Sequence, residues 1–272
     1  MRRGAATAKL NLALVVGPVR PDGKHEVVTV YQRLALSDRI VVERAPELSV
    51  EGFEDDTLVR RALEALAEAA GTAPGFAATI LKRIPVAAGL GGGSSDAATG
   101  LRLANALLEV PLATTRLDEL AAALGADVPF FLRDGPQLGT GDGTTLQPLE
   151  LPQDYWVLLV HPNGATKAST GHVYGDFDMR EGARGFAERR DALDRALAAV
   201  RRPRDLAALP PNDLASSPIA AELQALGAFR ADVTGAGPAV YGLFLHGADA
   251  RAAETRMRPR GRTWLTAPAW YR

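Results

Sequence analysis

Residues 85–95 read PVAAGLGGGSS, a run of small residues on which the interpretation of the chain depends. Such a stretch can be a flexible linker between domains, or a loop whose backbone N–H groups surround a phosphate. The flanking sequence favours the loop. GFAATILKR, residues 75–83, predicts a strand before it, and SDAATGLRLANALLEV, residues 95–110, predicts an amphipathic helix after it. The glycines therefore lie inside one compact unit, between a strand and a helix.

Three common motifs do not match this loop. A P-loop needs a lysine after its last glycine, and none follows here. A dinucleotide-binding fingerprint needs glycine where Ser94 stands, and a nucleophile elbow needs glycine where Ala97 stands. Glycine still permits close approach to a phosphate, and a helix N-terminus adds N–H donors and partial positive charge. Ser94 and Ser95, expected at the helix start, could cap the helix, bind phosphate or coordinate a metal ion.

Composition limits the classes of function. The chain has 272 residues, of which 47% are hydrophobic and 23% charged, as is typical of a soluble globular protein. A net charge of -1 gives no indication of nucleic acid or an anionic membrane as a partner. The absence of cysteine excludes disulfides, thiolate zinc sites and a cysteine nucleophile. With no apolar run near the roughly 20 residues of a membrane span, we expect a cytoplasmic protein.

Strands and helices are predicted in both halves of the chain. Alternation in residues 8–16 predicts a first strand, and residues 27–36 and 38–45 predict two more. Residues 126–135, ADVPFFLRDG, also suggest a strand. Further strands are predicted within 155–162, 231–244 and 263–268, and helices at 57–70, 115–124, 186–201, 218–226 and 248–257. The pattern indicates an α+β protein with a domain boundary near residue 150.

Four motifs, in this order along the chain, resemble those of the galacto-, homoserine, mevalonate and phosphomevalonate (GHMP) kinase superfamily. They are AKLNLAL at 8–14, PVAAGLGGGSSDAA at 85–98, LGADVPFFL at 124–132 and VTGAGPAVYGLF at 233–244. RPDGKHE, residues 20–26, resembles a segment of the branch that acts on 4-diphosphocytidyl-2-C-methyl-D-erythritol. The resemblance spans nearly the whole chain, and four motifs in order are far more specific than any single one.

This resemblance implies the two-domain GHMP kinase fold. Residues 1–150 would form a ribosomal-protein-S5-like domain with the ATP phosphate loop and the catalytic pair, and residues 151–272 a ferredoxin-like domain completing the substrate cleft. The implied protein is a monomer or weak homodimer.

The reaction implied is ATP-dependent phosphorylation of the 2-hydroxyl of 4-diphosphocytidyl-2-C-methyl-D-erythritol, in the non-mevalonate route to isoprenoid precursors. Mg²⁺ would be carried mainly by the nucleotide, because no carboxylate cluster suggests a metal site in the protein. Two alternatives remain open: a GHMP-type kinase for another small alcohol, and a catalytically silent homologue that binds a sugar or nucleotide.

Lys9 and Asp127 take catalytic roles by this resemblance. Alone, Lys9 would be interpreted as a solvent-facing lysine and Asp127 as a turn cap. As a pair, Lys9 would stabilise negative charge on the transferred phosphate, and Asp127 would take or orient the proton of the acceptor hydroxyl. The residues implied to bind the ATP phosphates are Pro85, Val86, Ala87, Ala88, Gly89, Leu90, Gly91, Gly92, Gly93, Ser94 and Ser95.

Substrate binding is implied for seven residues. Lys24 stands where the family has a tyrosine that stacks on cytosine. Its ammonium could attract the ring face, its stem could lie along the ring, or the side chain could move to the diphosphate. His25 is expected to hydrogen-bond the cytosine. The other residues implied to contact substrate are Asn11, Thr170, Tyr174, Gly235 and Gly237.

Overall fold

A computed structural model describes residues 1–53, 58–73, 75–165 and 169–269. The strands of these residues are β1 (Arg2–Val19), β2 (His25–Arg44), β3 (Ser49–Glu51), β4 (Phe76–Leu81), β5 (Gln137–Thr140), β6 (Thr145–Pro148), β7 (Trp156–Pro162), β8 (Arg230–Val233), β9 (Val240–Phe244) and β10 (Gly261–Thr266). The helices are α1 (Leu58–Ala69), α2 (Gly92–Asn105), α3 (Thr114–Leu124), α4 (Thr170–Met179), α5 (Phe186–Ala199), α6 (Pro218–Ala225) and α7 (Gly247–Met257), with 3₁₀-helices at Pro129–Leu132 and Pro203–Ala208.

The chain divides into two compact units that are discontinuous in sequence. Unit 1 comprises residues 1–8, 36–86 and 91–134, and unit 2 comprises residues 9–35, 87–90 and 135–272. The strands β1 and β2 therefore contribute residues to both units. The predicted domain boundary near residue 150 stays a prediction.

Unit 1 is built around β4. This strand pairs in parallel with β3 and antiparallel with the last residues of β2, so that Ile40 lies opposite Ile80. The helix α1 connects β3 to β4 in the chain and packs against α2 and α3. Leu63 and Leu66 of α1 are fully buried, which gives the unit a continuous apolar interior.

Unit 2 contains a four-stranded antiparallel sheet in the order β10-β7-β9-β8. The chain runs from β7 through helices to β8, turns directly into β9, and reaches β10 through α7. This is the ferredoxin-like arrangement that the family resemblance implied. The core under α6 and α7 includes Leu158, Leu223, Val240 and Phe244.

Most of the predicted elements are confirmed to within two residues at either end. The predicted helices at 115–124, 186–201, 218–226 and 248–257 correspond to α3, α5, α6 and α7. The predicted helix at 57–70 corresponds to α1, and its first residue lies outside the described residues.

Two predictions about strands are wrong. Residues 27–36 and 38–45 belong to one strand, the 20-residue β2. Asp38 does not interrupt it, because its buried carboxylate accepts hydrogen bonds from Lys82 and from the backbone N–H of Ile84. Residues 126–135 form no strand but a 3₁₀-helix from Pro129, whose fixed φ suits the first helical position.

Candidate functional site

Lys9 and Asn11 lie on one face of β1, both with at most 4% of their surface exposed. The Lys9 ammonium donates to Oδ1 of Asn11 over 2.7 Å, and Nδ2 of Asn11 donates to the Thr29 hydroxyl over 2.8 Å. The Thr29 hydroxyl in turn donates to the carbonyl of Ala13. This chain of hydrogen bonds fixes the orientation of the Asn11 amide and directs its oxygen at Lys9. The backbone N–H of Lys9 donates to the carbonyl of Leu90 in the glycine loop.

The turn between β8 and β9 reaches the same two side chains. Gly235 has a φ of +58°, and a Cβ there would lie 3.4 Å from Nζ of Lys9 and 3.3 Å from Oδ1 of Asn11. The backbone N–H of Asn11 donates to the Thr234 hydroxyl over 3.1 Å. Only a glycine fits this conformation beside the ammonium without strain. The structure thus brings Gly235 together with Lys9 and Asn11, and their roles at the site stay predictions.

Asn212 holds this turn in place. Its amide donates to the carbonyls of Val233 over 3.0 Å and Gly235 over 2.7 Å. Gly237, with a φ of +73°, donates its N–H to the carbonyl of Thr234 and closes the turn. Sequence reasoning gave Asn212 no role at the site. It also missed Thr29 and Thr234, although Thr234 lies inside the motif at 233–244 and directly precedes Gly235.

Residues 87–90 of the glycine loop belong to unit 2 and contact the same turn. Gly89 has a φ of +83°, and a Cβ on it would lie 2.5 Å from the carbonyl oxygen of Thr234. The backbone N–H of Ala239 donates to the carbonyl of Ala88 over 3.1 Å. The two glycine-containing segments therefore support each other through backbone contacts. Such a backbone surface, without side chains on it, suits close approach of a phosphate.

The rest of the glycine loop belongs to unit 1. Pro85 and the exposed Val86 precede the turn, and α2 begins at Gly92 after Gly91 in the left-handed conformation, with a φ of +68°. The expectation that Ser94 or Ser95 could cap the helix is wrong, because Gly91 is the N-cap and no side chain caps the helix. The first N–H groups of α2 have no partner within the helix. Together with the helix dipole they can bind an anion.

Lys82 lies beside this first turn. A Cβ on Gly92 would come within 3.3 Å of Nζ of Lys82, which forms ion pairs with Asp38 and, over 2.7 Å, with Asp96. Burial alone would lower the pKa of Lys82, but Asp96 and Asp38 together raise it above its ordinary value. Sequence reasoning gave Lys82 no role. The one signal was its position three residues before the loop.

Asp127 lies in unit 1, in the turn between α3 and the 3₁₀-helix that begins at Pro129, and it is partly exposed. The turn is closed by a hydrogen bond from the N–H of Val128 to the carbonyl of Gly125. Its proposed role as the base stays a prediction.

His25 and Tyr174, both predicted to contact substrate, lie against each other. Their ring centroids are 4.7 Å apart with the planes tilted by 33°, and Phe177 meets the His25 ring edge-on at 5.8 Å. Nε2 of His25 lies 2.8 Å from Oδ1 of Asp178. Thr170 is exposed at the first position of α4, one turn before Tyr174. The sequence missed Phe177 and Asp178 because residues 172–186 were not interpreted as a helix.

Lys24 forms an exposed ion pair with Asp142, in the turn between β5 and β6. Partial burial would raise the pKa of Asp142, but hydrogen bonds from Lys24 and Thr144 lower it to about 2. The hydrogen bond that Lys24 donates to the Asp142 carboxylate raises the pKa of Lys24. Asp142 therefore holds the ammonium that stands in place of the expected tyrosine.

The described residues include no group of three or more His, Asp or Glu side chains placed to hold a metal ion. No helix in the described part of the chain has the length and apolar character needed to cross a membrane.

Comparisons with known families agree with these features. The family model described as "GHMP kinases N terminal domain" matches residues 57–135, and "GHMP kinases C terminal" matches residues 196–262. Among solved structures, a crystal structure of 4-(cytidine 5'-diphospho)-2C-methyl-D-erythritol kinase matches with a TM-score of 0.81 and 32% identity, covering 99% of this chain and all of that one. A mevalonate kinase, at 14% identity and a TM-score of 0.76, covering 98% and 99%, shares the fold.

Curated relatives extend along almost the full length of the chain. A 4-diphosphocytidyl-2-C-methyl-D-erythritol kinase of Pelobacter propionicus is 37% identical over 281 aligned positions, covering 97% of this chain and 96% of its own. One of Salinispora arenicola is 38% identical, covering 89% and 83%. The chain has the α+β GHMP kinase fold and belongs to the 4-diphosphocytidyl-2-C-methyl-D-erythritol kinase family.

Proposed function

We propose that the chain transfers the γ-phosphoryl group of ATP to the 2-hydroxyl of 4-diphosphocytidyl-2-C-methyl-D-erythritol and releases ADP. Membership of the family supports the reaction. The observation that carries the catalytic assignment is Lys9, whose buried ammonium is oriented by Asn11 and borders the glycine turn at Gly235. A lysine that served only solubility would lie in water rather than beside a bare backbone surface.

The proposed roles follow from the chemistry of phosphoryl transfer. The transition state is loose, so positioning and charge stabilisation contribute more than a strong base. The Lys9 ammonium is proposed to stabilise charge on the transferred group, and Asn11 to hold it in place. Asp127 is proposed to accept or orient the proton of the acceptor hydroxyl, for which an ionised carboxylate suffices.

The nucleotide phosphates are proposed to lie on the backbone of residues 85–95, with the N–H groups at the start of α2 as donors. The backbone surface at Gly89 fits this role, since a side chain there would meet the carbonyl of Thr234. Mg²⁺, bound to the phosphates, would neutralise part of their charge.

Further parts of the proposal rest on the sequence and the family. We retain the division into domains at residues 1–150 and 151–272, a cytoplasmic location, and a monomer or weak homodimer that binds neither nucleic acid nor membrane. The net charge of -1 supports the last point.

The test measures ADP release with ATP, Mg²⁺ and 4-diphosphocytidyl-2-C-methyl-D-erythritol. Lys9→Met keeps an unbranched side chain of similar size and removes the charge, so we expect kcat to fall about 100-fold or more. Asp127→Asn should also lower kcat. Arg256→Met removes an exposed cation from α7 and should leave turnover unchanged. Circular dichroism and urea unfolding show whether each variant is folded.

The outcomes separate the alternatives. Wild-type protein that binds ATP but turns over only another alcohol, such as mevalonate or homoserine, would contradict the substrate assignment. Wild-type protein that binds nucleotide and phosphorylates none of these alcohols would indicate a silent homologue. Full activity in Lys9→Met would contradict the role of the lysine.

A further inference from the structure

We propose that Asp178 is a positioning residue that fixes the tautomer of His25 and so makes the site select cytosine over uracil. The inference rests on the function proposed above. It starts from one contact: Nε2 of His25 and Oδ1 of Asp178 lie 2.8 Å apart, and the His25 side chain is only 9% exposed. Asp178 has no assigned role in substrate binding or catalysis.

The contact decides which ring nitrogen carries the proton. A neutral imidazole has one N–H donor and one acceptor nitrogen, and an ionised carboxylate can only accept. A hydrogen bond between Nε2 and Asp178 therefore places the proton on Nε2 and leaves Nδ1 as the acceptor. Among the described residues, no hydrogen bond to Nδ1 is present. This nitrogen is left to interact with a ligand.

An acceptor at Nδ1 distinguishes the two pyrimidines. Cytosine has an exocyclic amino group, which donates, where uracil has a carbonyl oxygen, which accepts. Nδ1 can accept from the amino group but repels the carbonyl. A site that accepts a hydrogen bond from a donor on its ligand disfavours an analogue that lacks this donor, because the acceptor is then left unpaired. Without Asp178 the proton could move to Nδ1, and this discrimination would be lost.

The imidazole ring is held by contacts that do not involve Asp178. Tyr174 stacks on the ring, and Phe177 packs against its edge. Phe177 is 1% exposed and lies in an apolar cluster with Val16 and Val27, so its packing fixes α4 on the strands. The side chain of Asp178 is 50% exposed. Substitutions at Asp178 can therefore change the tautomer without displacing the helix.

Asp176 provides a matched control. It lies on the same helix, its side chain is 46% exposed, and it lies 3.6 Å from the exposed His172. Asp176→Asn removes one negative charge from α4, as the substitutions at Asp178 do, and it does so only two residues away. It leaves the His25 contact intact.

The first readout is the tautomer itself. The chain has four histidines, so ¹⁵N spectra of histidine-labelled protein at pH 8 are simple, and His25→Gln identifies the His25 signals. We expect Nε2 protonated and Nδ1 unprotonated in the wild type and in Asp176→Asn. Asp178→Ala should show a mixture of the two neutral tautomers. A wild-type spectrum with Nδ1 protonated, alone or together with Nε2, would overturn the proposal.

The second readout is selectivity in turnover. For the cytidine substrate, Asp178→Ala should raise KM about tenfold with little change in kcat, and Asp178→Asn should have a smaller effect because its amide can still accept. The ratio of kcat/KM for the cytidine over the uridine analogue should fall about tenfold in Asp178→Ala and stay constant in Asp176→Asn. An unchanged ratio in Asp178→Ala would overturn the inference. Absence of wild-type turnover would instead contradict the proposed function.

Discussion

At the scale of single residues, Lys9 shows how a buried charge is accommodated. Lys9 is 3% exposed, and burying its ammonium would be costly if the N–H donors lacked acceptors. The Asn11 oxygen supplies one acceptor. Asn11 is itself held by the Thr29 hydroxyl and by the hydrogen bond from its backbone N–H to the Thr234 hydroxyl. The same contacts that make the charge tolerable also fix its position, which is the requirement for charge stabilisation in catalysis.

Lys24 allows a direct test of local electrostatics. Its ammonium helps to lower the pKa of Asp142 to about 2 from an ordinary 3.8, so Lys24→Met should raise the pKa of Asp142 towards 3.8. A carboxyl with a lowered pKa in the folded state stabilises the protein above the unfolded pKa and loses that contribution as the pH falls. The stability difference between wild type and variant should therefore vanish between about pH 4 and pH 2.

Carboxyl ¹³C titration by NMR measures the Asp142 pKa, and urea unfolding at several pH values measures the stability. Lys24→Arg keeps the positive charge and should leave the Asp142 pKa low. An Asp142 pKa that stays at about 2 in Lys24→Met would assign the effect to Thr144 instead.

The sequence predicted several of these residues but not their partners. Lys9, Asn11 and Gly235 are recognisable from motifs, and the structure brings them together. Asp142 was missed because it lies 118 residues from Lys24 in the chain, and nothing local connects the two. Asp178 was missed because its relation to Tyr174, one helical turn away, exists only once residues 170–179 are known to be helical.

At the scale of elements, the long strand β2 depends on a buried ion pair. Asp38 lies in the interior of the strand with its carboxylate bound to Lys82 and to backbone N–H groups beyond β4. A buried, satisfied carboxylate can join elements that propensity alone would separate. Sequence reasoning separated the strand at Ser37 and Asp38 because these residue types usually mark turns.

Removing this charge should be costly. Asp38→Asn leaves Lys82 with Asp96 alone and weakens the hydrogen bonds to the backbone, so we expect the free energy of unfolding to fall by about 2–4 kcal/mol. Urea unfolding measures this change. Glu119→Gln removes one partner of an exposed ion pair with Arg116 and should cost less than about 0.5 kcal/mol. A similar fall in the free energy of unfolding in Asp38→Asn and Glu119→Gln would show that the buried ion pair of Asp38 stabilises the protein no more than an exposed one.

The glycine loop offers a second test at this scale. Gly89→Ala requires an unfavourable φ near +83° and also puts a methyl group 2.5 Å from the Thr234 carbonyl, so the loop must move. We expect unfolding to become easier by about 2 kcal/mol or more and ATP binding to weaken. Urea unfolding and titration with an ATP analogue measure the two effects.

Gly23→Ala isolates the effect of φ. Gly23 has a φ of +80°, and nothing lies within 4 Å of a Cβ placed there. This variant should lose only about 1 kcal/mol, the cost of the left-handed conformation. If Gly89→Ala and Gly23→Ala lose the same free energy of unfolding, the close approach to the Thr234 carbonyl adds no cost beyond that of the positive φ.

Element prediction failed where local sequence was ambiguous. The apolar run VPFFL suits a strand as well as a short helix, and only the position of Pro129 favours the helix. The helix α4 escaped prediction because its apolar residues are few and it contains two glycines, at 171 and 175. The position of α4 is fixed by the burial of Phe177 against Val16 and Val27, which are far from it in the sequence.

At the scale of the whole molecule, the sequence predicted the fold correctly through its four motifs. The family comparisons and the order of strands β10-β7-β9-β8 confirm it. Periodicity alone predicted an α+β protein but could not have supplied the strand order. It could not have shown that the compact units take residues from distant parts of the chain, because such pairings leave no mark on local sequence.

This discontinuity has a consequence for how the chain folds as it leaves the ribosome. All the residues of unit 1 have been synthesised by residue 134, but residues 9–35 belong with segments made much later. The guanidinium of Arg230 donates to the carbonyl of Leu12 over 2.6 Å, and these two residues are 218 positions apart. The strand that carries Lys9 pairs with β2 but completes its contacts only after Arg230, 218 residues beyond Leu12, has been made. During translation, the apolar residues of this strand wait for part of their packing and can associate prematurely with other chains.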